Sequence, residues 1–284
     1  MARKRKHDGF LRFLYNTAAG RLMLKPLVSR GVSRICGKFL ESKLSKPLIK
    51  SFIKKNNIDL EEYESDNFRC FNDCFSRKIK DGRRPIDPDE NTLISPCDAF
   101  LSAYRITDET VLPIKQSQYT VSSLLNNNNE LAAHYKDGIC LVFRLCVHHY
   151  HRYHYPVTGD KGENIFIKGK LHTVRPIALE ARPVFVQNCR EYTVIDTQLF
   201  GKVLQMEVGA MLVGKIKNHH GACHVIRGEE KGMFLYGGST IVLLLEKGAC
   251  DVRNEYFEAT EKNIETPVRM GEALGISLRA DKLE

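Results

Sequence analysis

The sequence has no long apolar run, no internal repeat and no closely paired cysteines. No window reaches the roughly 18 consecutive apolar residues that suggest a membrane-spanning helix, so we expect none. The nine cysteines form no C-x-x-C pair, and the spacing of Cys70 and Cys74 suits neither a zinc ribbon nor a redox motif. We therefore expect reduced thiols in a cytosolic compartment. With 284 residues, of which 43% are hydrophobic and 27% charged, the chain has the composition of a globular protein with an ample core.

The positive charge is concentrated at the N-terminus. Residues 1–60 hold 15 Lys and Arg against 3 Asp and Glu, a net charge of +12. Residues 61–284 hold 28 and 31, a net charge of −3. A nearly neutral body argues against nucleic-acid binding by that body, because its basic residues would line the site itself. The basic region instead predicts an arm that meets an anionic surface.

Apolar residues recur at helical spacing in this arm, with lysines and arginines between them. The apolar positions are Val28, Val32, Ile35 and Phe39, followed by Leu44, Leu48 and Phe52. This pattern is typical of a helix that lies at a membrane surface, with its apolar face at the acyl boundary and its cations on anionic headgroups. The alternatives are an amphipathic helix packed on its own domain and, less favoured by the charges, an arm that binds nucleic acid.

After residue 60 the pattern predicts short strands. The segments are rich in β-branched and apolar residues and are separated by Gly, Asn and charged turns; they are residues 138–147, 164–174, 190–200, 202–216 and 239–246. This spacing indicates an antiparallel sandwich or barrel rather than β-α-β units. The predicted fold class is α+β, with a mainly antiparallel β core and amphipathic helices at the N-terminus.

Four histidines in the segment HHYHRYHYP are the first candidates for chemistry. If the segment is a strand, His149 and His151 lie on one face while His148 and His154 lie on the other. Such a cluster could ligate a metal, form a polar strand edge, or carry out acid–base or anion-binding work. No familiar metalloprotease spacing accompanies it, and we predict no metal site.

Two further candidates are Asp98, after Ser95-Pro96, and Ser239, in the segment YGGST. With a histidine between them they follow the chain order Asp, His, Ser, which a general-base triad can use. A serine hydrolase of the G-x-S-x-G type, however, exposes its serine at a strand-to-helix elbow. Here Ser239 opens a predicted strand, where its hydroxyl is well placed to meet the preceding carbonyl, that of Gly238. Two glycines without Cβ atoms allow so close an approach.

In these motifs the chain resembles the phosphatidylserine decarboxylase family. YGGST is similar to the family's processing motif, SPCDAF to its S-P-x-D-G motif, and YHRYHYP to its Y-H-R-x-H-x-P motif. Residues 71–87, 168–176 and 209–216 also resemble family segments, in the same order along the chain. There are two departures: Ala99 replaces a glycine that usually follows the aspartate, and His149 replaces an acidic residue.

The resemblance implies that the chain cuts itself. His154, oriented by Asp98, would activate Ser239, which attacks Gly238 and becomes a covalent pyruvoyl group. That group would form a Schiff base with phosphatidylserine and decarboxylate it to phosphatidylethanolamine. His151 is our candidate for handling the proton at the product carbanion, since a histidine can change charge near neutral pH. His172 and Arg175 are weaker candidates for lining the site.

The resemblance also gives the expected organisation. Residues 1–60 would form the membrane-associating region and residues 61–284 the catalytic domain, cut into chains 1–238 and 239–284 that stay associated. We expect a peripheral protein on the cytoplasmic side of the cell membrane, with anionic phosphatidylserine as its partner, no bound nucleic acid, and a homodimer as one compatible assembly. The rival interpretations are a serine hydrolase with the same triad and a non-enzymatic membrane-binding β-module.

Overall fold

The part of the chain before the first strand is helical. The structure, a computed structural model, describes residues 9, 13–107, 111–114, 117–172, 184–209, 215–235 and 239–280. The α-helices are α1 (Ala18–Leu27), α2 (Arg30–Glu41), α3 (Pro47–Asn56), α4 (Phe71–Phe75), α5 (Val121–Leu124), α6 (Asn129–Ala133), α7 (Val184–Gln187) and α8 (Asn254–Glu261). Short 3-10 turns cover Lys43–Ser45 and Leu60–Glu62. The side chains of Thr17 and Ser29 cap the first turns of α1 and α2.

The strands form open antiparallel sheets. They are β1 (Thr92–Ile94), β2 (Ala99–Arg105), β3 (Val111–Ile114), β4 (Ser117–Thr120), β5 (Ile139–Leu145), β6 (Arg152–His154), β7 (Gly159–Lys161), β8 (Ile165–Ile167), β9 (Arg190–Thr197), β10 (Gly201–Val208), β11 (Lys215–Asn218), β12 (Cys223–Val225), β13 (Glu230–Leu235), β14 (Ser239–Leu245), β15 (Cys250–Val252), β16 (Thr266–Val268) and β17 (Ala273–Ser277). The largest sheet has the order β12-β7-β9-β10-β14-β5-β2-β16, with β8 beside β9. Two three-stranded sheets, β1-β17-β15 and β11-β13-β6, and the hairpin β3-β4 complete the set. The predicted α+β class is confirmed.

Strand β14 lies at the centre of the largest sheet, between β10 and β5. All seven of its residues are buried, which explains why its sequence is a continuous apolar run rather than an alternating one. The strands predicted at 138–147, 190–200 and 239–246 are confirmed as β5, β9 and β14. The segment predicted at 202–216 is instead divided into β10 and β11, with residues 210–214 outside the described residues. Of the segment predicted at 164–174 only β8 is a strand, and residues 173–174 lie outside the described residues.

The predicted N-terminal helices are present, but their apolar side chains divide into two sets. Leu24 and Val28 pack into the main core of the β body, and Leu40 and Ile49 pack into a second core around α4. A second set points to solvent: Ile35, Phe39, Leu44 and Leu48. In the described part of the chain, no helix has the length and apolar character needed to cross a bilayer. The boundary at residue 60 stays a prediction.

The helical layer contacts the histidine segment through α4 and the residues that follow it. Phe52 of α3 packs edge-on against Phe71, with ring centroids 4.9 Å apart, in the core that also holds Phe75. A neighbouring small core contains Tyr63, Ile79 and Tyr150. The N-terminal helices are therefore connected by packing to the segment that carries the four histidines. All nine cysteines are free thiols.

Candidate active site

Ser239 is the first residue of β14 and is completely buried. It lies opposite Leu145 of β5, in a ladder that continues to the end of the strand. Its Oγ has no hydrogen-bond partner among the described residues. A buried hydroxyl without a partner is uncommon and costs stability, so it requires an explanation. Gly237, Gly238 and hence the bond before Ser239 lie outside the described residues.

The strand register shows which side of the sheet carries the Ser239 side chain. Ile241 lies opposite Glu207 and Leu243 opposite Gln205, so these four side chains share one face. Ser239 shares that face too, because alternate residues of a strand point the same way. Gln205 donates from Nε2 to the backbone carbonyl of His154, at 3.3 Å. Thus the face that carries Ser239 is the one packed against the sheet that contains His154.

His154 ends β6 and is buried. Its backbone N–H donates to the carbonyl of Pro96 at 2.8 Å, and its ring stacks on Tyr150 with centroids 5.9 Å apart. Its Nδ1 has no hydrogen-bond partner among the described residues. Burial lowers the pKa of His154 to about 4, against smaller opposing effects from Glu230, Pro96 and Asp98. The ring is therefore neutral at physiological pH and able to accept a proton.

Asp98, immediately before β2, is held by an arginine. Its carboxylate accepts from Arg84 Nε at 2.9 and 3.1 Å and from Arg84 Nη2 at 2.7 Å. It also accepts from the backbone N–H of Met270 at 2.9 Å. Arg84 is in turn bonded to Glu62, at 3.1 Å. Asp98 raises the pKa of His154 by its charge, but no hydrogen bond joins these two described side chains. Orientation of the His154 ring by Asp98 stays a prediction.

His151 lies against the helical layer, completely buried. Its ring centroid is 3.9 Å from that of Phe75, and its Nδ1 is 2.9 Å from the carbonyl oxygen of His149. Its backbone carbonyl accepts from Phe234 of β13, the strand that leads toward Ser239. Nε2 of His151 has no partner among the described residues. Burial above all lowers the pKa of His151 well below its ordinary value.

The interpretation of the whole histidine segment as a strand is wrong. Only residues 152–154 are in β6, and residues 147–149 form a turn. The turn is closed by the N–H of Cys146, which donates to Nδ1 of His149 at 3.1 Å, so strand alternation does not apply there. Burial, helped by His148, lowers the pKa of His149 to about 4. In the described part of the chain, no three His, Cys, Asp or Glu side chains are grouped to hold a metal ion.

His172 is tied to the strand beside Ser239 through a buried asparagine. Asn188 accepts from the backbone N–H of His172 and donates to its carbonyl, both at 2.8 Å. The same amide donates to the carbonyl of Gly209, at 2.7 Å, and Gly209 directly follows the β10 residue paired with Thr240. The position of His172 is thus fixed near the start of β14. Arg175 lies outside the described residues.

The chain is similar to known proteins along most of its length. The family model for phosphatidylserine decarboxylase matches residues 71–276. The chain belongs to the phosphatidylserine decarboxylase family. It is 44% identical over 274 residues to phosphatidylserine decarboxylase proenzyme 2 of Clostridium acetobutylicum, an alignment that covers 96% of this chain and 93% of that protein. It is 41% identical to the phosphatidylserine decarboxylase proenzyme of Ruminiclostridium cellulolyticum, covering 93% and 90%. It is 38% identical to that of Clostridium botulinum strain Hall, covering 95% and 93%.

The family match runs from α4 to β17 and so includes every candidate residue described above. Two further residues of this decarboxylase-family chain could not be identified from its sequence, although both lie in segment 71–87. Arg84 holds Asp98, and Arg77 contacts the carbonyls of the histidine turn. In that segment they stand among other arginines and lysines, and nothing in the spacing distinguishes a buried arginine from a solvated one.

Proposed function

We propose that this chain is a self-processing phosphatidylserine decarboxylase. It cuts itself between Gly238 and Ser239, converts Ser239 into a pyruvoyl group, and uses that group to convert phosphatidylserine into phosphatidylethanolamine. The observation that carries the proposal is the buried Oγ of Ser239, without a partner among the described residues, on the sheet face that packs against the strand of His154. A buried hydroxyl of this kind can react with the backbone next to it, whereas an ester substrate from solution cannot reach it.

The self-cleavage requires a base, a nucleophile and an elimination. His154 takes the proton from Ser239 Oγ, which attacks the carbonyl carbon of Gly238. The C–N bond breaks as the ester forms, and the nitrogen becomes a free amine. Loss of the Cα proton of residue 239 then expels the Gly238 carboxylate and leaves dehydroalanine. One water hydrolyses this to the pyruvoyl group and releases one ammonia.

The environment of His154 suits it to act first as a base. Its pKa of about 4 keeps the ring neutral, so one ring nitrogen carries a lone pair that can accept a proton. Nδ1 is buried and has no hydrogen-bond partner among the described residues. The Asp98 carboxylate favours the imidazolium that forms when the proton is taken. Arg84 holds that carboxylate from two nitrogens, which fixes its plane. On this view Arg84 is a positioning residue for the processing step.

The residues present fit a pyruvoyl group at position 239, because its parent hydroxyl is buried on a strand paired at both edges and has no hydrogen-bond partner among the described residues. Once formed, the pyruvoyl carbonyl supplies an electron sink for loss of CO2 from an amino-acid headgroup. His151, completely buried and with its Nε2 lacking a partner among the described residues, is proposed to accept and return the proton of that reaction.

The pairing of β14 supports the association of the two products. After cleavage, residues 239–245 would keep their ladders to β10 and β5, and all seven side chains would stay buried. A strand held on both edges and both faces does not leave without unfolding the sheet. We therefore expect chains 1–238 and 239–284 to stay together, as the family resemblance also implies.

The solvent-facing set on the N-terminal helices supports peripheral membrane binding. Ile35 and Leu44 are 71% and 78% exposed, and Phe39 and Leu48 are also exposed. Exposed cations accompany them: Arg34, Lys38, Lys43, Lys46 and Lys50. Apolar side chains beside cations are suited to an anionic lipid surface. We propose the cytoplasmic face of the cell membrane as the location, where the protein would meet phosphatidylserine.

The test is conversion of phosphatidylserine in vesicles, followed by the appearance of CO2 and phosphatidylethanolamine. Wild type should form both products, and Ser239→Ala should form neither. Ser102→Ala, which removes another buried serine hydroxyl, is the matched control and should remain active. Formation of fatty acid without CO2, by an intact chain labelled at Ser239 by an active-serine reagent, would instead establish the hydrolase. An intact, inert wild type that still binds vesicles would establish the binding module.

A further inference from the structure

Arg77 is a buried arginine that forms no ion pair with any described residue. Its Nη2 lies 2.8 Å from the carbonyl of His148, 3.3 Å from that of His149 and 3.1 Å from the hydroxyl of Tyr63. Its Nη1 donates to the carbonyl of Cys74 at 3.2 Å, and its guanidinium carbon is 4.3 Å above the Tyr63 ring. Burying a cation without an anion is costly. Two of the carbonyls that compensate for this cost belong to the histidine turn.

The carbonyl of His149 links Arg77 to His151. It accepts from Nη2 of Arg77 and lies 2.9 Å from Nδ1 of His151. Since a carbonyl oxygen can only accept, Nδ1 of His151 must carry the hydrogen. The ring is neutral because burial lowers its pKa, and a neutral imidazole carries one hydrogen. Nε2 of His151 therefore bears a free lone pair.

We infer that Arg77 is a positioning residue for decarboxylation: by fixing the His148–His149 carbonyls it holds His151 in the Nδ1–H tautomer and presents Nε2 as a proton acceptor. This inference rests on the proposed function, and it assigns two successive proton transfers to His151. The headgroup amine of phosphatidylserine arrives as an ammonium, and it must lose a proton before its lone pair can attack a carbonyl. Nε2 takes that proton first and later returns it to the substrate carbon that has lost CO2.

The charges around His151 support the same assignment. Burial lowers the pKa of His151 most, the hydrogen bond to the His149 carbonyl raises it, and Arg77, His149 and His148 lower it further. The Phe75 ring, which contacts the His151 ring, is apolar. Replacing Arg77 by a neutral residue removes one of these effects and frees the His149 carbonyl, so the pKa of His151 should rise and its tautomer should become mixed.

Arg190 is a matched control within the same chain. It too is buried and held by several backbone carbonyls, and among the described residues its side chain donates to those of Leu124, Val186, Asn188 and Ser123. None of its partners belongs to the histidine turn. Substitution of Arg190 therefore shows the general effect of losing a buried arginine bound to carbonyls. Any further effect of substituting Arg77 can then be assigned to the histidine turn.

The experiment compares Arg77→Met, Arg77→Lys and Arg190→Lys with wild type. Intact mass measures processing, and phosphatidylserine turnover in vesicles is followed from pH 4 to 8. In Arg77→Met we expect processing to continue, turnover to fall at least about tenfold, and the acid limb of the pH profile to move to higher pH. Arg77→Lys keeps the positive charge but loses the several N–H donors of the guanidinium group. Its turnover should therefore fall without movement of the acid limb. Arg190→Lys should keep the wild-type limb and at least half of the turnover.

A second readout does not depend on turnover. Histidine ring NMR of the uncut Ser239→Ala chain, assigned with His151→Gln, should show the Nδ1–H tautomer for His151, and addition of Arg77→Met should shift it toward a mixture. Any one of three results would overturn the inference: an unchanged tautomer in that chain, an unmoved acid limb in Arg77→Met, or full turnover in Arg77→Lys. If wild type releases no CO2 while the NMR result is as expected, the proposed function has failed and the positioning by Arg77 has not.

Discussion

Acidification should destabilise the folded chain through His154. The pKa of this ring is about 4 in the folded protein and near its ordinary value of 6.5 when the chain is unfolded. Between these pH values the unfolded state binds more protons than the folded one, so stability falls as pH falls. A shift of this size corresponds to roughly 3 kcal/mol lost between pH 6.5 and pH 4, at about 1.4 kcal/mol for each pKa unit. Because the ring is nearly completely buried, little of this is screened by solvent.

The assay is denaturant unfolding of the uncut Ser239→Ala chain at several pH values across this window. His154→Asn in the same background should lose roughly 3 kcal/mol less on acidification than its parent, whatever its stability at pH 7. His134→Asn, which removes an exposed histidine, should keep the parent's slope. The comparison of slopes removes the contribution of other titrating groups, His149 included. Equal slopes for the parent and His154→Asn would refute a neutral, proton-accepting His154 in the folded protein.

Three further outcomes are expected. Lys231→Met should lower the free energy of unfolding by about 3–5 kcal/mol, because the completely buried Glu207 carboxylate, which Lys231 contacts at 2.6 Å, loses its counter-ion. An equal loss in the double variant Lys231→Met/Glu207→Met would argue against this. Arg84→Gln should slow self-cleavage about tenfold or more in a time course, since it removes charged hydrogen bonds to the Asp98 carboxylate. An unchanged rate would contradict the positioning role proposed for Arg84. Ile35→Ser and Leu44→Ser should each weaken sedimentation with anionic vesicles about tenfold; binding equal to wild type would exclude these side chains from the lipid contact.

The sequence predicts the centre of the fold better than the contacts of the site. Strands β5, β9 and β14 are continuous apolar or alternating runs, and such runs are confirmed as strands because burial on one or both faces dictates their residue types. The histidine turn is not predicted because its geometry depends on hydrogen bonds that no residue pattern encodes: those between Cys146 and His149, and those from Arg77 to the carbonyls of the turn. Polar residues spaced for a strand edge are equally compatible with a turn.

Contacts between residues that lie far apart in the sequence also cannot be predicted from local sequence patterns. Asp98, His154 and Ser239 are recognisable from short motifs. The arginines that hold Asp98 and the histidine turn, Arg84 and Arg77, instead stand among other basic residues from which no pattern distinguishes them. Likewise, helical spacing finds the apolar residues of α2 and α3 but not which of them face the core. Which side chains face the core depends on what the helix packs against, and that is a property of the tertiary structure.

The central claim is self-cleavage at Ser239, and intact mass tests it most directly. The purified protein should give two chains, 1–238 and a 46-residue fragment that is one ammonia lighter than a fragment starting with serine. Ser239→Ala should give a single uncut chain. A wild type that stays uncut through a long incubation with anionic lipid would contradict the account.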